Sequence, residues 1–285
     1  MKVVAVGGGH GTAVSLRALR LLTDDVTGIV SVADDGGSTG RLRAMFNVAA
    51  VGDLRKCLGA LADPDNPLTA SFEHRFEVGE LAGHTVGNLL LVGLLDATGN
   101  LEESVRAVAE VMGVTGHIYP ASCEGVVLLA STEQGPTRGQ SEVARSSSIG
   151  HISLEPAFAA APIEAVEAIE RADLVVVGPG SLFTSVIAAC VVPGITQALA
   201  GTAARKVYVA NLRPQSPETG GFSLQDHVDA LLGHGVRPDV VLVDRNSEYA
   251  GEPCSIEVHV SELSGRNGLV HDVQKLAGAL RAEMR

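Results

Sequence analysis

Two β-branched runs, 2–6 and 174–177, each break into glycines and then into a helical pattern. The first turn reads Gly7-Gly8-Gly9-His10-Gly11-Thr12. The second reads Gly178-Pro179-Gly180-Ser181-Leu182-Phe183-Thr184-Ser185. A strand can return parallel to itself only through a long crossover, usually a helix. Strand, glycine turn and helix together are therefore the unit of a parallel sheet. Their recurrence in a chain of 285 residues predicts an α/β fold: a Rossmann-like, three-layer, doubly wound and mostly parallel sheet. Further buried strands are expected at 206–210 and 240–243, and another at 256–260 with Ile256, Val258 and Val260 on its buried face. Helices are expected at 13–22, 54–62, 101–112 and 273–284. The rhythm fails around 125–154, where a small antiparallel β insertion is expected. No repeat or linker divides residues 1–285, which reads as a single nucleotide-binding domain.

Ligands of such sheets bind outside the carboxyl ends of the strands, so the candidate site lies at the turns. Gly8, Gly9, Gly11 and Thr12 open one helix and point N–H groups and a helix dipole at an anion. The spacing is not that of G-x-G-x-x-G, because Thr12 holds the last glycine position; this weakens an NAD-type dinucleotide reading. After the second strand come Asp34, Asp35, Gly36, Gly37, Ser38, Thr39, Gly40, Arg41, Leu42 and Arg43. Carboxylates there can hold ribose hydroxyls or a magnesium ion, and arginines can fork onto phosphate oxygens. Asp53 either caps the helix that follows it or shares a cation with Asp35. His84 and Asn88 stand just ahead of an apolar helix. Gly178, Gly180, Ser181, Thr184 and Ser185 form a second phosphate cradle at a helix start. Asn211 ends another strand.

A formal net charge of −12 disfavours nucleic acid and anionic membrane as partners. A phosphate ligand must then be held by local dipoles and cations. No apolar run approaches the roughly 20 residues of a membrane span, and no secretory signal is visible. Cys57, Cys123, Cys190 and Cys254 are widely spaced, as expected of reduced thiols in a cytoplasmic protein.

Taken together, Gly7-Gly8-Gly9-x-Gly11, Asp34-Asp35-Gly36-Gly37-Ser38-x-Gly40-Arg41-Leu42-Arg43, Gly52-Asp53-x-Arg55, Arg75-Phe76, Gly83-His84-x-x-Gly87-Asn88-Leu89 and Gly178-Pro179-Gly180-Ser181-Leu182-x-Thr184-Ser185 resemble the YvcK family, the gluconeogenesis factors, within the CofD-like superfamily. The resemblance covers nearly the whole chain. It implies a cytoplasmic regulatory protein with a role in carbon metabolism and cell shape during gluconeogenic growth. It also implies a nucleotide-sugar ligand such as UDP-N-acetylglucosamine, a homodimer, and no established reaction. The superfamily's other branch resembles 2-phospho-L-lactate transferase. That branch implies, as the alternative, magnesium-dependent transfer of a phospholactyl-type group from a nucleoside diphosphate adduct, with metal on Asp35 and Asp53. Tyr249 matches a family tyrosine linked to the ligand. Two departures stand out. Asn211-Leu212-Arg213-Pro214-Gln215 replaces Asn-Leu-Met-Thr-Gln, and Val270 stands where the family tends to have arginine before His271-Asp272.

Overall fold

The computed structural model describes residues 1–284. Seven strands form one sheet in which every pairing is parallel: β1 (Val3–Gly7), β2 (Val26–Val30), β3 (His117–Pro120), β7 (Leu174–Val177), β8 (Arg205–Val209), β9 (Val240–Asp244) and β10 (Glu257–Ser261). Their order is β10-β9-β8-β7-β1-β2-β3. From β1 the chain winds outward through β2 to β3. It then returns to the other side of β1 with β7 and winds away again. The reversal lies between β1 and β7, and both glycine turns leave the sheet there. β1, β2, β7 and β9 are buried along their whole length, as strands covered on both faces must be.

Helix α1 (Gly9–Arg20) follows β1 and turns Ala13, Leu16, Ala18 and Leu19 into the core. It packs against α3 (Gly52–Leu61) and the C-terminal Val273–Glu283 helix on one face of the sheet. The Ile163–Glu170 and Pro193–Gly201 helices pack together on the other face. Helix α2 (Gly37–Phe46) follows β2 and meets the Val86–Thr98 helix. The expected insertion is a second, antiparallel sheet of order β5-β4-β6, made of β4 (Val127–Thr132), β5 (Gly135–Arg138) and β6 (Ile149–Glu155). Among the described residues no single helix is long and apolar enough to cross a membrane.

Two expectations are corrected. α1 starts at Gly9, four residues before its apolar spacing does, because the chain enters the helix directly from the glycine turn, Gly9 itself taking a left-handed φ of 68°. Val260 is 45% exposed, because β10 is an edge strand with only β9 beside it.

Candidate functional site

The two glycine turns touch each other at the reversal of strand order. A Cβ on Gly11 would lie 2.1 Å from the Pro179 carbonyl oxygen, and one on Gly8 would lie 2.6 Å from Asp53 Oδ2 and 3.4 Å from Ser185 Cβ. Only a residue without a side chain permits this approach. Hydroxyls then fix the turns. Thr12 Oγ1 donates to the Gly8 carbonyl at 3.1 Å, and Ser15 Oγ donates to the Gly178 carbonyl at 2.7 Å. Asn211 clamps Gly180 from both sides: its Nδ2 donates to the carbonyl at 2.9 Å, and its Oδ1 accepts from the amide at 3.2 Å. Beside the turns opens a hollow of about 660 Å³, lined by His10, Gly11, Val14, Pro179, Gly180, the 211–216 segment and 269–271. The fold thus brings Gly8, Gly9, Gly11, Thr12, Gly178, Gly180, Ser185 and Asn211 into one region.

The acids separate from the expected pair. Both Asp35 oxygens accept from insertion amides, Oδ2 from Gln140 at 2.9 Å and Oδ1 from Ser141 at 2.8 Å. They cap the short Gln140–Val143 helix. Asp34, not Asp35, is the electrostatic neighbour of Asp53. Burial and then the Asp53 charge push the Asp34 carboxyl up, against the opposing Gly36 amide and Thr39 hydroxyl. Asp53 is not the N-cap of α3; it lies inside its first turn, buried beside Gly8, and accepts from Lys56 Nζ at 2.9 Å.

The expected phosphate-binding arginines are engaged elsewhere. Arg43 donates to the carbonyls of Asp34 at 3.0 Å and Val126 at 2.9 Å, tying the end of β2 to the start of the insertion. Arg41 donates to the Ala82 carbonyl at 2.8 Å. The second phosphate cradle is also occupied. After Ser181 the chain forms a buried π-helix, Leu182–Ile187, and the Glu218 carboxylate accepts from the amides of Phe183 at 2.7 Å and Thr184 at 3.0 Å. Thr184 Oγ1 donates to the same group at 3.2 Å. An internal anion therefore takes the place read as a phosphate position.

Gly36 and Gly37 open α2, the former as its N-cap. Ser38, in the first turn, meets His84 and Asn88 in a buried node. Asn88 Nδ2 donates to Ser38 Oγ at 3.1 Å, and Ser38 Oγ shares a second hydrogen bond with His84 Nδ1 at 2.9 Å. Burial, Arg41 and Arg75 push the imidazole down, favouring its neutral form. Tyr249 does not reach the hollow. It is fully buried, with its hydroxyl 3.1 Å from His227 Nε2, and Tyr208 holds the other ring nitrogen at 3.0 Å. The sequence reading missed Ser15, Gln215 and Glu218. Ser15 had a signal, a hydroxyl on the buried face of an apolar helix; Gln215 and Glu218 had only their places in the family segment 211–219.

Fold and site together define a doubly wound α/β protein with a hollow at the reversal of its sheet order. The chain belongs to the CofD family, whose profile, described as 2-phospho-L-lactate transferase CofD, matches residues 3–276. It is 39% identical over 259 residues to the gluconeogenesis factor of Halalkalibacterium halodurans, covering 89% of this chain and 78% of that one. A Nostoc relative bearing the gluconeogenesis-factor name is 42% identical over 255 residues, 87% of this chain and 56% of its own. One from Deinococcus radiodurans is 39% identical over 98% of this chain and 65% of its own. The chain thus spans less than two thirds of the length of these last two relatives. The crystal structure of a UPF0052-family protein from Bacillus halodurans superposes with a TM-score of 0.91 at 34% identity, covering 98% of each chain.

Proposed function

We propose that this protein is a regulatory binder of a nucleotide sugar, of the gluconeogenesis-factor type, acting in carbon metabolism and cell shape under gluconeogenic growth. The names of its relatives support the gluconeogenic part. One observation carries the ligand part: two glycine turns from distant parts of the chain line one hollow, whose volume of about 660 Å³ suits a nucleotide-sized molecule. The diphosphate lies against the Gly11 and Gly180 backbone at the start of α1, with Arg213 on the rim. The thermal midpoint tests this. UDP-N-acetylglucosamine raises it, whereas N-acetylglucosamine alone and NAD do not. Ligand at 100 times its Kd adds about 2.7 kcal/mol. An unmoved midpoint at millimolar UDP-N-acetylglucosamine sinks the reading.

The second reading, a magnesium-dependent transferase of a phospholactyl-type group, draws on the family profile and on Asp34 and Asp53. Two neighbouring carboxylates, Asp34 pushed up by burial and then by the Asp53 charge, suit a shared cation. Mg²⁺ is commonly held by one or two carboxylates together with phosphate oxygens. Bound there, it would offset diphosphate charge. A midpoint shift that needs Mg²⁺ favours this reading; one indifferent to Mg²⁺ favours the first.

A further inference from the structure

Asp34 and Asp53 are two neighbouring buried acids, and among the described residues one cation is hydrogen-bonded to either carboxylate. That cation is Lys56, whose Nζ donates to Asp53 Oδ1 at 2.9 Å. The two stand at i and i+3 on α3. Helical side chains lean toward the N-terminus, so a lysine in the second turn reaches back over the first. The contact faces inward: the Asp53 side chain is 11% exposed and that of Lys56 23%. The neighbouring cations serve other partners. Arg55 pairs with Glu73, and Arg43 donates to the Asp34 carbonyl rather than to its carboxylate.

The oxygens a divalent metal would need are already engaged. Asp53 Oδ1 holds the ammonium, and Oδ2 lies against Gly8, where a Cβ would stand 2.6 Å from it. Asp34 Oδ1 accepts from the Gly36 amide at 2.9 Å, and the Thr39 hydroxyl bonds to the same carboxylate. A Mg²⁺ ion on Asp53 would meet a positive charge at close range, and it tolerates little distortion of its octahedral shell. The Lys56 charge also acts on Asp34 and on His10, which lines the hollow. One ammonium thus serves both acids and the wall of the hollow. An ammonium is a compact point charge and a common partner of phosphate.

We propose that Lys56 is the resident cation of this site: its ammonium holds the place on Asp53 that a divalent metal would need, keeps metal off the two acids, and supplies the counter-charge for an incoming phosphate. A residue of the chain then does the work that the second reading above gives to Mg²⁺. The exclusion of metal is independent of what the hollow binds. The counter-charge rests on the nucleotide reading.

Mn²⁺ titration followed by electron paramagnetic resonance tests the exclusion with the metal alone. The wild type takes up no Mn²⁺ that Asp53→Asn removes. Lys56→Met keeps the apolar stem and drops the charge. It gains one Mn²⁺, at least about tenfold tighter than the wild type, and Asp53→Asn added to it abolishes the gain. Lys56→Arg still keeps metal out. Melting curves show that each variant is folded, and Lys56→Gln is a second neutral variant. Wild-type Mn²⁺ binding that Asp53→Asn removes overturns the proposal without any lysine variant. Folded neutral variants that gain no Mn²⁺ overturn it as well. Calorimetry with UDP tests the counter-charge. The wild type binds UDP equally well in Mg²⁺ and in EDTA. Lys56→Met binds it about tenfold more weakly in EDTA and recovers in Mg²⁺. Unchanged UDP affinity of the folded variant in EDTA overturns the counter-charge. No UDP binding by the wild type removes the nucleotide reading and the counter-charge with it, and the Mn²⁺ titration still decides the exclusion of metal.

Discussion

Gly11 shows how a single hydrogen can decide the site. A methyl there would overlap the Pro179 carbonyl, which is backbone and cannot rotate away. Gly11→Ala is expected to destabilise the protein by about 1–3 kcal/mol, read as a lower urea midpoint with unchanged m-value. It should also weaken UDP-N-acetylglucosamine binding, because the two turns must part. At this scale the sequence showed which residues matter more clearly than it showed what they do. Asp34, Asp35, Arg41 and Arg43 looked alike as ligand groups. Asp35, Arg41 and Arg43 instead bond to backbone amides and carbonyls, two of them joining the sheet to the insertion. Composition gives the donor and the acceptor; the partner comes from segments up to 106 residues away.

At the scale of the element, the π-helix after β7 is the departure from the expected pattern. Its six residues are all buried, and its N-terminal amides need an acceptor that solvent cannot supply. Glu218 provides it from a loop that also carries Gln215 and Ser216 along the hollow. Glu218→Ala leaves two buried amides and a hydroxyl without their acceptor. The expected cost is about 2–4 kcal/mol in chemical denaturation, partly restored by molar acetate, which can enter the vacated place. A loss that acetate does not touch would argue that packing of the loop, not the carboxylate, is what matters.

At the scale of the whole molecule, buried neutral histidines tie stability to pH. His227, between Tyr208 and Tyr249, and His271, on the hollow, are both pushed down by burial to about 4 from an ordinary 6.5. The unfolded chain therefore takes up their protons first. Their contribution is fully present above pH 6.5 and is lost as pH falls toward 4, up to about 3 kcal/mol each. Asp34 and Glu218, whose carboxyls burial raises, act in the opposite direction: they favour the folded state less as pH rises through their native values. Urea midpoints measured from pH 7 to 4.5 should fall, and fall less steeply in His227→Gln; an unchanged slope would assign the pH dependence to other groups.

The sequence by itself determined the parallel sheet except its edge strand β3, the antiparallel insertion and the two glycine turns. These follow from local chemistry: β-branched runs, glycine where the backbone must turn tightly, apolar spacing along helices. The tertiary structure alone decided that Asp34 rather than Asp35 neighbours Asp53, that Glu218 fills the second helix start, that Tyr249 faces His227, and that His271 borders the hollow with its Nε2 buried and unpartnered. Those are pairings between distant segments. Hydrogen bonds and charges act over a few ångströms, and only the closed fold sets which groups come that near.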